Sequence, residues 1–157
     1  MPDSSLPKPR LAGAALEHQL ALQRSRRPAD PLLSLVVPVF DEDESIDLFI
    51  DTVVPILKRD RLRFEIVFVN DGSRDDTLSR LLGRSIGDPR IRVVNLSRNF
   101  GKEAALTAGI DHARGDVLIP IDIDLQDPPD LIGAFLARWR EGYDIVYGVR
   151  STRHADT

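Results

Sequence analysis

The sequence predicts an α/β fold built on a mostly parallel sheet covered by helices. Three observations lead there. Short runs rich in Val and Ile start at intervals of roughly 26 to 31 residues, the length of a βα unit. The stretches between them carry apolar residues at helical spacing. The loop that follows each of the first four runs is polar and, in three of them, strongly acidic.

Taken in order, residues 1–31 differ from the rest. Prolines 2, 7, 9, 28 and 31 bracket Leu11 to Arg27, a segment suited to one amphipathic helix with Leu16 and Leu20 on one side. Five basic and three acidic side chains leave this leader at +2, so residues 32–157 carry −6 of the total −4. The leader is expected to be partly ordered or a single helix. A helix resting on an anionic membrane is the sharper reading of its arginines, but it offers few bulky apolar anchors. From residue 32 the expected strands are Leu33–Phe40, Phe64–Asn70, Ile91–Leu96, Val117–Asp122 and Asp144–Tyr147, apolar enough to be buried on both faces. Ile46, Phe49, Ile50, Val53 and Leu57 give the first intervening helix its buried stripe. Asp76 or Thr77 suits the cap of the next helix, and Asp130 after Pro128-Pro129 marks the start of the last one. Phe135 and Trp139 fall on that last helix's apolar side and are assigned to the core.

Composition narrows the chemistry. There is no cysteine, which removes disulfides, thiolate zinc sites and cysteine nucleophiles. The three histidines, His18, His112 and His154, have no partner spacing and receive no role. A net charge of −4 gives no general field for nucleic acid. No apolar run approaches the roughly 20 residues of a membrane-spanning helix, and no secretory signal is apparent, so a cytoplasmic location is expected.

In an open α/β sheet, ligands bind beyond the carboxyl ends of the strands. There the chain places Asp41-Glu42-Asp43-Glu44, Asn70-Asp71-Gly72-Ser73-Arg74-Asp75-Asp76 and Asp122-Ile123-Asp124-Leu125-Gln126-Asp127, with a basic exception at Ser97-Arg98-Asn99-Phe100-Gly101-Lys102. Neither Gly-x-Gly-x-x-Gly nor a P-loop is present, so a bound phosphate must be neutralised in another way. Asp122 and Asp124 offer one. If the segment is extended, their carboxylates converge. Two carboxylates about 4 Å apart repel by about 4 kcal/mol at an effective dielectric near 20, and a divalent cation reverses that. Hard oxygen donors select Mg²⁺ or Mn²⁺. An isolated Asp-x-Asp also reads as a solvated acidic turn, and it is the position directly after an apolar strand that favours the cation. Asp71 reads either as a turn residue or as an acceptor for a base or ribose. Lys102, one of three lysines against eighteen arginines, starts a helix whose amides favour anions, and it reads as a solvated charge or as a phosphate contact.

Four linked motifs stand in one order: Val37-Pro38-Val39-Phe40-Asp41-Glu42, Val69-Asn70-Asp71-Gly72-Ser73 with Asp75-Asp76-Thr77, Arg98-Asn99-Phe100-Gly101-Lys102, and Asp122-Ile123-Asp124-Leu125-Gln126-Asp127-Pro128-Pro129. Together they resemble family 2 glycosyltransferases of the GT-A fold, and within them the subgroup that transfers a sugar from a nucleotide donor to a polyprenyl phosphate such as dolichol or undecaprenyl phosphate. The resemblance spans residues 33–150. It implies that Pro38, Phe40 and Glu42 line the nucleoside pocket and that Asp71 holds the base. It further implies that Asp122, Asp124 and Gln126 form the metal site beneath the donor diphosphate, with Asp122 and Asp124 the catalytic pair, and that Lys102, Arg98 and Arg150 face phosphates. Phe40 stands where Tyr is frequent, keeping a stacking face without a hydroxyl, and Asn70 stands where a second Asp is common.

The implied reaction is inverting transfer by in-line displacement, with Mg²⁺ or Mn²⁺ stabilising the departing nucleoside diphosphate. A phosphate oxygen acceptor is already anionic, so no general base is expected. Members of the subgroup continue past the equivalent of Arg150 with acceptor-facing and membrane-attaching elements. Residues 32–157 therefore read as the nucleotide-sugar-binding part of such a domain. The implied partners are the nucleotide-sugar donor and a polyprenyl phosphate at the cytoplasmic membrane surface, together with a homo-oligomeric copy or a missing C-terminal membrane portion. The competing reading is an inert nucleotide-sugar-binding fragment. A phosphotransfer domain of the haloacid dehalogenase or receiver type fits poorly, because the Asp-x-Asp follows the fourth strand and not the first.

Overall fold

A computed structural model describes residues 10–149. Helix α1 spans Arg10–Arg26, and strand β1 (Leu32–Val39) follows it. Then come α2 (Asp43–Arg59), β2 (Arg63–Asn70), α3 (Thr77–Gly87), β3 (Ile91–Asn95), α4 (Lys102–His112), β4 (Val117–Pro120) and α5 (Leu131–Arg140). The four strands form one parallel sheet in the order β3-β2-β1-β4. In register, Leu35 lies beside Ile66, Leu33 beside Val117, and Ile66 beside Ile91.

Only the two central strands are buried along most of their length; β3 and β4 are part-exposed edges. Alternation sends neighbouring β2 residues to opposite faces. On one face Phe68 meets Phe49 of α2 edge-on, with ring centroids 5.8 Å apart. On the other, α4 approaches through Gly109, where an added Cβ would lie 2.3 Å from a Val36 methyl and 2.8 Å from a Val69 methyl. A side chain there must push the helix off the sheet or force two packed valines out of place. Gly109→Ala is therefore expected to lower the urea midpoint, with a cost of about 1–3 kcal/mol for overpacking.

The described residues form two compact units, one made of residues 29–133 and the other of α1 with the segment from residue 134 onward. In the second, Arg27 holds the segment after α5: its guanidinium donates to the Asp144 carboxylate at 2.8 Å and to the Gly142 carbonyl at 3.1 Å. The same group lies 4.5 Å from the Trp139 ring centroid. Trp139 and Phe135 are half-buried, not core residues as expected. On α1, Leu20 is buried while Leu16 is exposed. Gly142, at φ +116°, passes so close to the Leu20 backbone that no Cβ fits.

The fifth expected strand does not form. Asp144–Tyr147 has no strand assignment among the described residues, and Ile145 and Tyr147 are 83% and 79% exposed. Its composition suits a strand, but a strand exists only where an edge pairs with it. The α3 cap also differs: neither Asp76 nor Thr77 caps through its side chain, and the Asp75 carboxylate accepts the Thr77 N–H at 2.9 Å and the Thr77 hydroxyl at 2.5 Å. Desolvation would raise the Asp75 carboxyl, but the hydrogen bonds from Thr77 and the Asp43 backbone outweigh it and hold the carboxyl below its ordinary range. Among the described residues no helix is long and apolar enough to cross a membrane.

Candidate active site

The strand order places the site. From β1 the chain moves outward to β2 and β3, then returns through α4 to β4 on the other side of β1, so the order reverses next to β1. Such a switch point opens a crevice at the carboxyl ends of the strands. A cavity of about 320 Å³ lies there, lined by the end of β1, the loops after all four strands and the start of α4, with Pro38, Phe40, Glu42, Asp71, Lys102, Asp122 and Asp124 among its residues.

Each loop is set by local chemistry. After β1, Asp41 takes the left-handed conformation at φ 50°, which is uncommon for a side-chain-bearing residue. Its own groups stabilise the turn: its N–H donates to Ser73 Oγ at 2.9 Å and its carboxylate accepts the Arg74 N–H at 2.7 Å. The Phe40 ring emerges 43% exposed on the cavity wall. The Glu42 N–H donates to Thr77 Oγ1 at 2.9 Å, and its carboxylate accepts the Ser45 hydroxyl at 3.0 Å.

Asp71 is the main surprise. It is 3% exposed, and its two oxygens accept the backbone N–H groups of Phe100 at 2.8 Å and Gly101 at 3.1 Å. Its carboxylate thus fastens the loop after β3 and sets where α4 begins. Asp71 lines the cavity, and each of its oxygens has the capacity to accept a second hydrogen bond. Gly72 allows the loops to meet: at φ +72°, a Cβ there would lie 2.4 Å from the Arg98 carbonyl carbon and from the Asn99 nitrogen. Asn70, also buried, donates to Asn95 Oδ1 at 2.8 Å and accepts the Ser73 N–H at 3.3 Å. The structure therefore uses Asn70 as an amide, donating with one end and accepting with the other, which a second Asp could not do.

After β4, Asp122 and Asp124 flank the buried Ile123. The strand ends at Pro120 and residues 123 and 124 form a turn, so the pair is presented by a turn and not by extended backbone as expected. Both still reach the cavity wall. Lys102 Nζ lies 2.7 Å from Asp122 Oδ1, and Asp124 Oδ1 accepts the Gln126 N–H at 3.2 Å. Of the other expected site residues, Gln126 contributes its backbone to Asp124 but does not line the cavity. Arg98 does not line it either, and its guanidinium stacks 4.2 Å from the Phe100 ring centroid. Arg150 lies outside the described residues. The sequence reading missed Asn99 and Gly101 as cavity residues. The signal for Gly101 was a glycine just before a helix, which here adopts φ +98°.

Among the described residues, no three His, Cys, Asp or Glu side chains gather into a metal cage. Two exposed carboxylates on one cavity wall nevertheless fit a Mg²⁺ or Mn²⁺ site of the kind completed by water and substrate phosphate oxygens.

The model of glycosyl transferase family 2 matches residues 34–157. The chain belongs to glycosyl transferase family 2. Within this family it is 48% identical over 124 residues to the bactoprenol glucosyl transferase of Shigella phage SfV, covering 79% of this chain and 40% of that protein. The chain spans about 40% of the length of the first curated relatives it matches. Among solved structures it resembles the Mycobacterium tuberculosis glucosyl-3-phosphoglycerate synthase, with TM-score 0.57 and 26% identity over 81% of this chain and 46% of that one. It shares its fold with the Pyrobaculum calidifontis mannosyltransferase solved with GDP-Man and Mn²⁺, with TM-score 0.57 and 23% identity over 83% of this chain and 41% of that one. The four-stranded parallel sheet is accordingly a GT-A glycosyltransferase sheet.

Proposed function

We propose that this crevice binds a nucleotide-diphosphate sugar, UDP- or GDP-linked, together with Mg²⁺ or Mn²⁺, and that the family 2 enzyme it belongs to passes the sugar with inversion to a polyprenyl phosphate at the cytoplasmic face of the membrane. One observation supports this above the others: four separate loops bring an aromatic face, the buried Asp71 carboxylate, a helix-starting ammonium and a carboxylate pair to one cavity at the switch point. The 48% identity to a bactoprenol glucosyl transferase supports the choice of acceptor.

In this reading Phe40 stacks on the base, with Pro38 and Glu42 beside it and the spare lone pairs of Asp71 available to base N–H groups. Asp122 and Asp124 hold the cation, which supplies charge neutralisation at the departing diphosphate. Lys102 takes a phosphate oxygen, aided by the amides at the start of α4. No side chain need remove a proton from an acceptor that is already an anion.

Titration calorimetry with UDP, GDP and their sugars tests the donor half. Binding is expected only with Mn²⁺ or Mg²⁺, and Asp124→Ala should weaken it at least tenfold. Equal binding by both proteins with and without metal would rule out the metal assignment. Turnover with a polyprenyl phosphate tests the transfer half separately, and donor binding without turnover would mark the chain as a binding fragment.

A further inference from the structure

The Lys102–Asp122 contact sets the two proposed ligands in competition with each other's side chains. The loop after β4 offers two carboxylates to the cavity, Asp122 and Asp124, and the first of them is held by the Lys102 ammonium at 2.7 Å. Asp124 already accepts the Gln126 N–H with one oxygen. A cation arriving alone must take Asp122 from Lys102, which leaves an ammonium facing a dication. A diphosphate arriving alone must take Lys102 from Asp122, which leaves a carboxylate facing phosphate. Arriving together, they re-pair both side chains at once. The contact is well exposed on both sides, 67% and 51%, and exposed ion pairs are weak, so the exchange itself is easy.

Resting on the donor reading above, we propose that Lys102 couples cation and diphosphate binding: it withholds Asp122 from a divalent cation until a diphosphate draws the ammonium away. Coupling of this kind is reciprocal, so each ligand tightens the other by the same factor. Lys102 is thus more than a phosphate contact, because it also opposes metal occupancy in the absence of the nucleotide.

The distinguishing result is one substitution with opposite effects on two probes. In Lys102→Met, Mn²⁺ alone, measured from the free-ion electron paramagnetic resonance signal, is expected to bind about two- to fivefold tighter, the scale of an exposed ion pair. UDP or GDP in the presence of Mn²⁺, measured by calorimetry, should bind about tenfold weaker or worse for loss of a charge-assisted hydrogen bond. Arg74→Met, which removes a cation from the loop after β2 at the same end of the sheet, should leave the affinity for Mn²⁺ alone unchanged. Weaker nucleotide binding with unaltered Mn²⁺ affinity reduces Lys102 to a phosphate contact and overturns the coupling, leaving the donor reading standing. Equal tightening of Mn²⁺ by Arg74→Met overturns it as well, because the effect is then one of net charge. Failure of the unaltered chain to bind either nucleotide with Mn²⁺ removes the donor reading and the coupling together.

Discussion

Replacing Glu65 with alanine is expected to cost about 3 kcal/mol of folding stability, the low end of the range for breaking a buried ion pair by removing one partner. Glu65 is 5% exposed in the middle of the sheet. Its Oε1 accepts the Ser34 hydroxyl and the Arg114 N–H, both at 2.7 Å, and its Oε2 accepts Arg92 Nη1 at 2.9 Å. Ser34 Oγ in turn accepts the Gly115 N–H at 2.8 Å, and Arg92 also reaches the His112 carbonyl at 2.8 Å. One carboxylate therefore joins β1, β2, β3 and the turn that leads into β4. The low end applies because the Arg92 side chain is 23% exposed and can turn toward water, whereas Ser34 and the Arg114 amide cannot follow it. Against a total of about 5–15 kcal/mol, this is a loss that urea unfolding will register plainly.

The same carboxylate gives an acid dependence. Desolvation works to raise the Glu65 pKa, but the hydrogen bonds from Ser34, Arg114 and Arg92 and the Arg92 charge outweigh it, so the folded value lies below the ordinary one. A depressed carboxyl contributes stability that is fully present above the unfolded value of about 4.3 and is lost as pH falls through the folded value. Unfolding free energy of the wild type should therefore fall on acidification through that window, and the slope should be shallower in Glu65→Gln. Parallel slopes would show that this network does not carry the dependence.

The second large effect is expected at Asp71. Asp71→Asn presents an N–H to one of the two backbone amides the carboxylate now accepts, and Asp71→Ala leaves both without a partner. Hydrogen bonds to a charged acceptor contribute about 1.5–3 kcal/mol each, so with some recovery from water the alanine variant should lose about 2–4 kcal/mol. The larger consequence is for binding. The loop carrying Asn99 and Gly101 and the first residue of α4, Lys102, would lose their anchor, and nucleotide affinity should fall more than tenfold. Amide hydrogen exchange separates the two roles of this side chain. A positioning role predicts that Phe100 and Gly101 lose protection in step with affinity; unchanged protection with lost affinity would confine Asp71 to ligand contact.

Much of this was legible locally. The apolar runs of β1 and β2 declared themselves because strands buried on both faces need no polar alternation. The acidic and basic loops stood out because they lie directly after such runs. What could not be read locally has equally physical reasons. Asp144–Tyr147 has the composition of a strand, and what it lacks, a paired edge, is not written in four residues. Glu65 interrupts an apolar run, and nothing in its neighbours announces that its partners come from residues 34, 92 and 114. Gln126 and Arg98 sit inside recognisable motifs, but one supplies its backbone to a neighbouring turn and the other stacks on Phe100.

By itself, then, the sequence determined the α/β class, the positions of the two central strands, and the family through four spaced motifs, because burial periodicity and short polar loops are properties of contiguous residues. Only the tertiary structure decided which side chains those motifs spend on holding loops and which they leave for a ligand. Asp71 binding the amides 29 and 30 residues further on and Gly72 fitting beneath Arg98 and Asn99 depend on β2 and β3 lying side by side, and Lys102 closing on Asp122 depends on the reversal of strand order beside β1. That reversal is set by how helices pack on a sheet, which no local stretch of sequence encodes.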